Sequence, residues 1–366
     1  MIPRERVLKT IQHQEPDRVP LDEAYYSFSL QSPEGRQKLM RTIGLSDVDG
    51  VKDFLGIDLR DLFMMPSETF MGQAVYKEPP WIWVHELPGN RYRDEWGIEY
   101  EIGATGEYFH YVHHPLEALE KIDDYQFLDL NASGRFETAE EQMRRWSGKY
   151  AICGHMEATL FEQAWYLRGF RRLIRDLYDN EAFCESLFDK LLEFRLEQAK
   201  RWVELGVDII RLGDDFGTQT GMLISLATWR RYFKPRMKKL IDAIKKSRLY
   251  VFYHSDGCIE RLIPELIEIG VDILNPLQPE CNNIERIKRE FGTRLTLHGT
   301  VSVQRTLPFG TIEDVENEVR SRLKICAPGG GLILAPCHAV GPDVTIEKLI
   351  TLYRCAQNYG KYPLRI

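Results

Sequence analysis

"VFYHSDGCIERLIPEL", residues 251–266, opens as a buried strand and closes as an amphipathic helix. A continuous apolar run fits a strand covered on both faces, and apolar residues recurring three and four apart fit a helix with one buried face. At the junction stand His254, Ser255, Asp256, Gly257 and Cys258, which puts three potential metal ligands within five residues. Three readings of the junction stay open locally. It is a metal site, an acid/base site, or a turn at Asp256-Gly257 beside a histidine bonded to backbone.

The same strand-then-helix texture recurs along the chain. Strand candidates are "RVPLDE" (18–23), "GIDLRDLFMMP" (56–66), "KYAICGHME" (149–157), "VDIIRLGDD" (207–215), "LYVFYHSD" (249–256), "VDILNP" (271–276), "RLTLHG" (294–299) and "GLILAPCH" (331–338). Helical stretches separate them. One, "TIEDVENEVRSRLKICAPGG" (311–330), opens on Thr311 with acidic residues and ends in Pro and Gly, as capping and the helix dipole favour. Eight continuous apolar runs predict an α/β chain with a parallel sheet closed into a (β/α)8 TIM barrel, with an open doubly wound sheet as the alternative. No G-x-G-x-x-G follows the first strand and no P-loop is present, which weakens the open-sheet dinucleotide binder.

Residues 67–148 interrupt this pattern. "WIWVHELPGNRYRDEWGIEYEIGATGEYFHYVHHP" is aromatic, alternating and turn-rich, the signature of short antiparallel strands. It reads as an insertion after strand two of a single barrel domain, residues 1–366. It either covers the barrel mouth or supplies a dimer interface.

Composition narrows the function classes. The 366 residues are 28% charged and 43% hydrophobic, with a net charge of −7. An acidic chain is a poor partner for nucleic acid or an anionic membrane. No apolar run approaches the roughly 20 residues that span a bilayer, and the charged amphipathic start is not a signal peptide. Seven scattered cysteines without a CxxC pair predict a reduced, cytoplasmic protein.

In a parallel barrel the chemistry gathers at the carboxyl ends of strands. Those ends carry Asp22, Glu23, Asp61, His155, Glu157, Asp214, Asp215, His254, Asp256, Asn275, Gln278, His298, Cys337 and His338. A metal site would draw on His254 and Asp256, two apart on an extended strand end, with Cys337 or His338 as third ligand and Glu157 as fourth. The Asp214-Asp215 pair offers carboxylates for acid/base work, or a helix cap beside a solvated acid. Asn275 and Gln278 are neutral groups that orient a substrate or hold loops together.

The chain resembles the uroporphyrinogen decarboxylase superfamily over nearly its whole length. The resemblance is carried by "RERVLKTIQHQEPDRVP", "DEWG", "GVDIIRLGDDFGTQTGMLIS", "RYFKPRMKKLIDAIKK", "YHSDGCIERLIPELIEIGVDILNPLQ", "HGTVSVQRTLPFGTIEDVENEV" and "GGGLILAPCHAVGPDVTIEKL". It implies a (β/α)8 barrel, a dimer, and one of two chemistries: decarboxylation of a tetrapyrrole, or methyl transfer involving corrinoid proteins. The decarboxylases carry an Arg-rich loop after the first strand, where this chain has "LDEAYYSFSLQ", and an aspartate after the second, where it has "LFMMPS". The zinc methyltransferases carry H-x-C at strand five and Cys at strand eight. Here those positions read His254-Ser255-Asp256 and "PCHAV", with Cys337 beside His338.

The resemblance therefore implies a methyltransferase acting between a small methylated compound, such as an ether or amine, and a separate corrinoid (cobalamin) protein. Its metal, zinc, would sit on His254, Asp256, His338, Cys337 and Glu157. His254, Asp256 and Asp214 would be catalytic, and Asn275, Gln278 and His298 would line the pocket. The alternative is a carboxy-lyase, for which Arg18, Arg168 and Arg211 are the basic candidates at the mouth.

Overall fold

The computed structural model describes residues 1–23, 33–77, 82–103, 109–118 and 121–365. Seven parallel strands form one curled sheet in chain order: Leu59–Leu62, Ala151–Glu157, Ile209–Gly213, Tyr250–His254, Ile273–Asn275, Thr296–Val301 and Leu332–Pro336. Leu21 stands between the two edges, bridging Ile57 on one side and Leu334 on the other. The architecture is an α/β, TIM-barrel-like fold. Of the expected first strand, 18–23, Leu21 alone among the described residues bridges toward the barrel sheet, while Arg18 bridges Lys361. Pro20, lacking an N–H, gives the ladder only its carbonyl, to Leu334 N–H.

A buried ion cluster pins that closing residue. Asp58 accepts the Leu21 N–H at 2.9 Å, Arg6 Nη1 at 2.6 Å and Arg18 Nη1 at 2.7 Å. The strands Ile209–Gly213 and Leu332–Pro336 are buried at every residue, as continuous apolar runs require under helices. The outer layer includes Glu181–Leu205, Lys234–Lys246, Ile312–Cys326 and Ile346–Tyr359. Thr311 and Asp314 form a reciprocal capping box at the start of Ile312–Cys326.

The insertion holds a separate antiparallel sheet of Val75–Lys77, Ile82–Leu87, Arg91–Arg93, Glu99–Ile102 and Phe109–His113. The expected block 67–148 also takes in a helix. Glu137–Trp146 is a helix that buries Ala139 and Trp146, its Trp146 Nε1–H donating to Asp49, and it leads into the strand Ala151–Glu157. No helix among the described residues is long and apolar enough to cross a membrane. All seven cysteines are free.

Candidate active site

Strand register builds the centre. Glu157 pairs with Gly213, Gly213 with His254, and His254 with Asn275. Paired residues on neighbouring strands project to the same face, so Glu157 and His254 flank a position without a side chain. A Cβ on Gly213 would lie 2.8 Å from His254 Cβ and 3.0 Å from Glu157 Cγ. Glycine there is what lets the imidazole and the carboxyl group share one row.

Behind His254 runs a chain of hydrogen bonds that fixes its tautomer. His298 Nε2–H donates to Asp22 Oδ2 at 2.9 Å, leaving His298 Nδ1 to accept from Asn275 Nδ2 at 2.7 Å. Asn275 Oδ1 then faces His254 at 2.6 Å and accepts its Nδ1–H. Burial holds His298 below the usual histidine range, which suits a neutral ring in that role. With Nδ1 committed, His254 presents Nε2 to Asp215 Oδ1 at 3.6 Å and Asp256 Oδ1 at 3.8 Å. Burial opposes a charge on His254, but Glu157, Asp256 and Asp215 together outweigh it and push it up to about 9.

The two loops meet through glycines. Gly257, at φ +85°, lies against Gly217, where a Cβ would come within 2.6 Å of backbone. This contact seats Asp256 N–H on Asp215 Oδ1 at 2.7 Å. Asp256 in turn faces His338, with Oδ2 3.7 Å from Nε2. Donor atoms of His254, Asp256 and His338 all lie within 4.8 Å of one another. Two imidazoles and one carboxylate are a nitrogen/oxygen set that suits zinc or a similar divalent ion, with coordination left over for water or substrate.

The remaining expected residues divide. Glu157 and Asp215 line a cavity of about 350 Å³ together with His254 and His338. Asn275 and His298 stand behind His254 as its supports and do not line that cavity. Asp214 accepts the N–H groups of Leu160 and Glu162 at 3.0 Å each, holding the start of the helix Phe161–Arg168. Burial pushes its carboxyl group up to about 7. Gln278 donates to Gln219 Oε1 at 3.1 Å. Cys337 is buried outside the donor cluster, its thiol donating to Leu277 O at 3.5 Å, and burial raises it well above the usual thiol range.

On the other side of Glu157, Arg211 joins Asp22 at 3.4 Å, Asp61 at 3.8 Å and Glu157 at 4.0 Å. His155 Nε2 lies 3.1 Å from Asp61. Despite burial, Arg211 and His155 hold Asp61 below the ordinary carboxylate range. Sequence reasoning missed Glu162 and Tyr166, on the helix after the strand Ala151–Glu157, and Trp96, Tyr100, Phe109 and Tyr111 from the inserted segment. Trp96, from the "DEWG" segment, borders this cavity and two adjoining ones of about 360 and 260 Å³. The stretch "LDEAYYSFSLQ" lies from residue 24 onward outside the described residues.

Comparison with known proteins adds three findings. The family model described as uroporphyrinogen decarboxylase (URO-D) matches residues 94–359. Uroporphyrinogen decarboxylases from two strains of Thermus thermophilus are each 30% identical over 107 residues. That match spans 29% of this chain and only 30% of theirs. A methyltransferase from Methanosarcina mazei shares the fold at a TM-score of 0.69 and 18% identity, over 98% of this chain and 99% of that one.

Proposed function

This chain belongs to the uroporphyrinogen decarboxylase family, and from that premise we propose that it is a methyltransferase. It would move a methyl group from a small methylated compound to the Co(I) of a corrinoid on a separate protein. The observation that carries the reading is the charge of the cavity at His254. A polyanionic porphyrinogen needs guanidinium partners, and the three arginines that sequence offers are already engaged. Arg18 pairs with Asp58, Arg168 with Asp176, and Arg211 with Asp22, Asp61 and Glu157. No Lys or Arg among the described residues lines that cavity, and the residues outside the described set include neither. The fold shared with the Methanosarcina mazei methyltransferase supports the same reading.

His254, Asp256 and His338 would hold the metal, with Glu157 in the same row as His254 across the bare Gly213 position. A bound divalent ion would act there as a Lewis acid on the heteroatom that the methyl group leaves. The protein's own work is positional. Asp22, His298 and Asn275 lock the His254 ring with Nε2 toward the cavity, and Asp215 anchors the backbone of Asp256. The aromatic wall from the inserted segment narrows access of water to the reacting end. A proton on His254 Nε2 supplies the equivalent assistance to a leaving oxygen or amine.

The test is anaerobic incubation with cob(I)alamin and a panel of methyl ethers and methylated amines. The reading expects loss of the Co(I) absorbance with at least one donor, abolished by His254→Ala. No methylation with any donor would count against it. The second reading, a carboxy-lyase on a less charged acid, is favoured by the Thermus thermophilus relatives and expects CO2 release instead.

A further inference from the structure

The cavity at His254 holds more carboxyl groups than a three-ligand centre uses. Glu157 is nine-tenths buried, with its side chain 7% exposed, and neither carboxylate oxygen has a hydrogen-bond partner among the described residues. The basic side chains beside it stand off at 3.8 Å, His155 Nδ1, and 4.0 Å, Arg211 Nε. Among the described residues Glu162 receives the Tyr166 hydroxyl at 2.9 Å and the Asp215 N–H at 3.2 Å. Asp215 receives the Asp256 N–H and faces His254. Burial first, then the like charges of Asp215 and Asp214, drive Glu162 well above the usual carboxylate range. A positive ligand would relieve that repulsion.

The same cavity has an aromatic wall. Tyr111 lies between Tyr100, at 5.3 Å between ring centroids, and Tyr166, also at 5.3 Å, with Phe109 at 5.5 Å. Trp96 lines the same space. Aromatic side chains beside carboxyl groups, with no Lys or Arg among the described lining residues, are surroundings that an organic cation prefers over an anion or a neutral isostere.

Building on the methyltransferase reading, we infer that the methyl donor is a quaternary ammonium compound, its head seated between this wall and Glu157, Glu162 and Asp215. In the transfer the N–CH3 bond breaks with its electron pair staying on nitrogen. Co(I) of the corrinoid protein supplies both electrons of the new bond to carbon and is thereby oxidised to Co(III). A quaternary nitrogen has no lone pair for a metal or a proton to engage, so a neutral tertiary amine leaves. Atoms and charge balance without the assistance that an ether or amine donor would draw from the centre at His254. Loss of the positive charge weakens the hold of the wall and carboxylates on the product, which favours its release.

Titration calorimetry on the full chain tests this with choline, tetramethylammonium and 3,3-dimethylbutan-1-ol, the neutral carbon isostere of choline. Choline is expected to bind at least tenfold more tightly than the neutral alcohol. Glu157→Gln and Glu162→Gln are each expected to weaken choline severalfold and leave the alcohol unchanged, which also reports that the variant is folded. Equal affinity for choline and the alcohol in the unmutated protein, or choline affinity indifferent to both substitutions, overturns the inference. Failure of the two ideas is separable. Methylation of cob(I)alamin from neutral ethers but not from ammonium compounds refutes the cation and spares the methyltransferase. Tight choline binding with no cobalamin methylation does the reverse.

Discussion

Gly213→Ala places one methyl group where the row Glu157–Gly213–His254 has none. Its Cβ would sit 2.8 Å from His254 Cβ, 3.0 Å from Glu157 Cγ and 3.1 Å from His254 O. Two of these atoms belong to the first carbon of a neighbour or to backbone, so no flexible side-chain end can swing aside. Restoring carbon–carbon contact at roughly 3.5 Å or more requires His254 to move by about 0.7 Å. Overpacking of this kind costs about 1–3 kcal/mol. A displacement approaching 1 Å at a reacting group costs on the order of 10²-fold in rate. The expected result is urea unfolding shifted by that amount, with methyl transfer falling far more than stability accounts for. The Asn275–His254 hydrogen bond, read from the histidine ring NMR shifts, should be disturbed as well. An alanine variant with unmutated stability and turnover would refute the role given to the bare position between the two side chains.

Asn275→Ala leaves two buried imidazoles without their shared partner. It should lose about 1–3 kcal/mol for each group left unpaired, and metal affinity by chelator competition should fall about 10–100-fold, the usual effect of removing a ligand's supporting bond. Asp58→Ala takes the buried carboxylate from Arg18, leaves Arg6 to Asp17 alone and frees the N–H of Leu21. It should cost about 3–5 kcal/mol, with protease cleavage appearing near residues 18–23. Asp94, buried beside Tyr100, has its carboxyl group pushed by burial up to about 7. The native state therefore keeps a proton that the unfolded chain releases near pH 3.9. The stability difference between the unmutated protein and Asp94→Asn should fall as pH rises from 4 to 7 and be flat above 7.

The barrel was legible in sequence because buried parallel strands leave continuous apolar runs, and seven of the eight became strands. The eighth, 18–23, has the apolar residues but also Pro20, and among the described residues its bridging toward the barrel sheet survives at Leu21 alone. The inserted sheet announced itself through alternation and aromatic residues. The helix Glu137–Trp146 within the same block carries no such alternation, and it buries Ala139 and Trp146. At the site, strand ends named the polar residues but not their directions. Adjacent residues point to opposite sides. Asp215 therefore faces the cavity while Asp214 holds a helix start, and His338 joins the donor cluster while the Cys337 thiol turns to Leu277. Glu162, Trp96 and Tyr111 were invisible to a rule that searched strand ends, since they come from a helix and from the inserted segment. A carboxylate one turn into the helix that follows a strand was the signal available for Glu162.

On the proposed function, this barrel transfers methyl groups and does not decarboxylate a porphyrinogen. The most direct measurement is one anaerobic preparation assayed in parallel for methylation of cob(I)alamin by methylated donors and for CO2 release from uroporphyrinogen. Donor-dependent loss of the Co(I) spectrum, sensitive to His254→Ala and with no CO2 from the porphyrinogen, is the predicted result. CO2 release from uroporphyrinogen with the Co(I) spectrum untouched would contradict it.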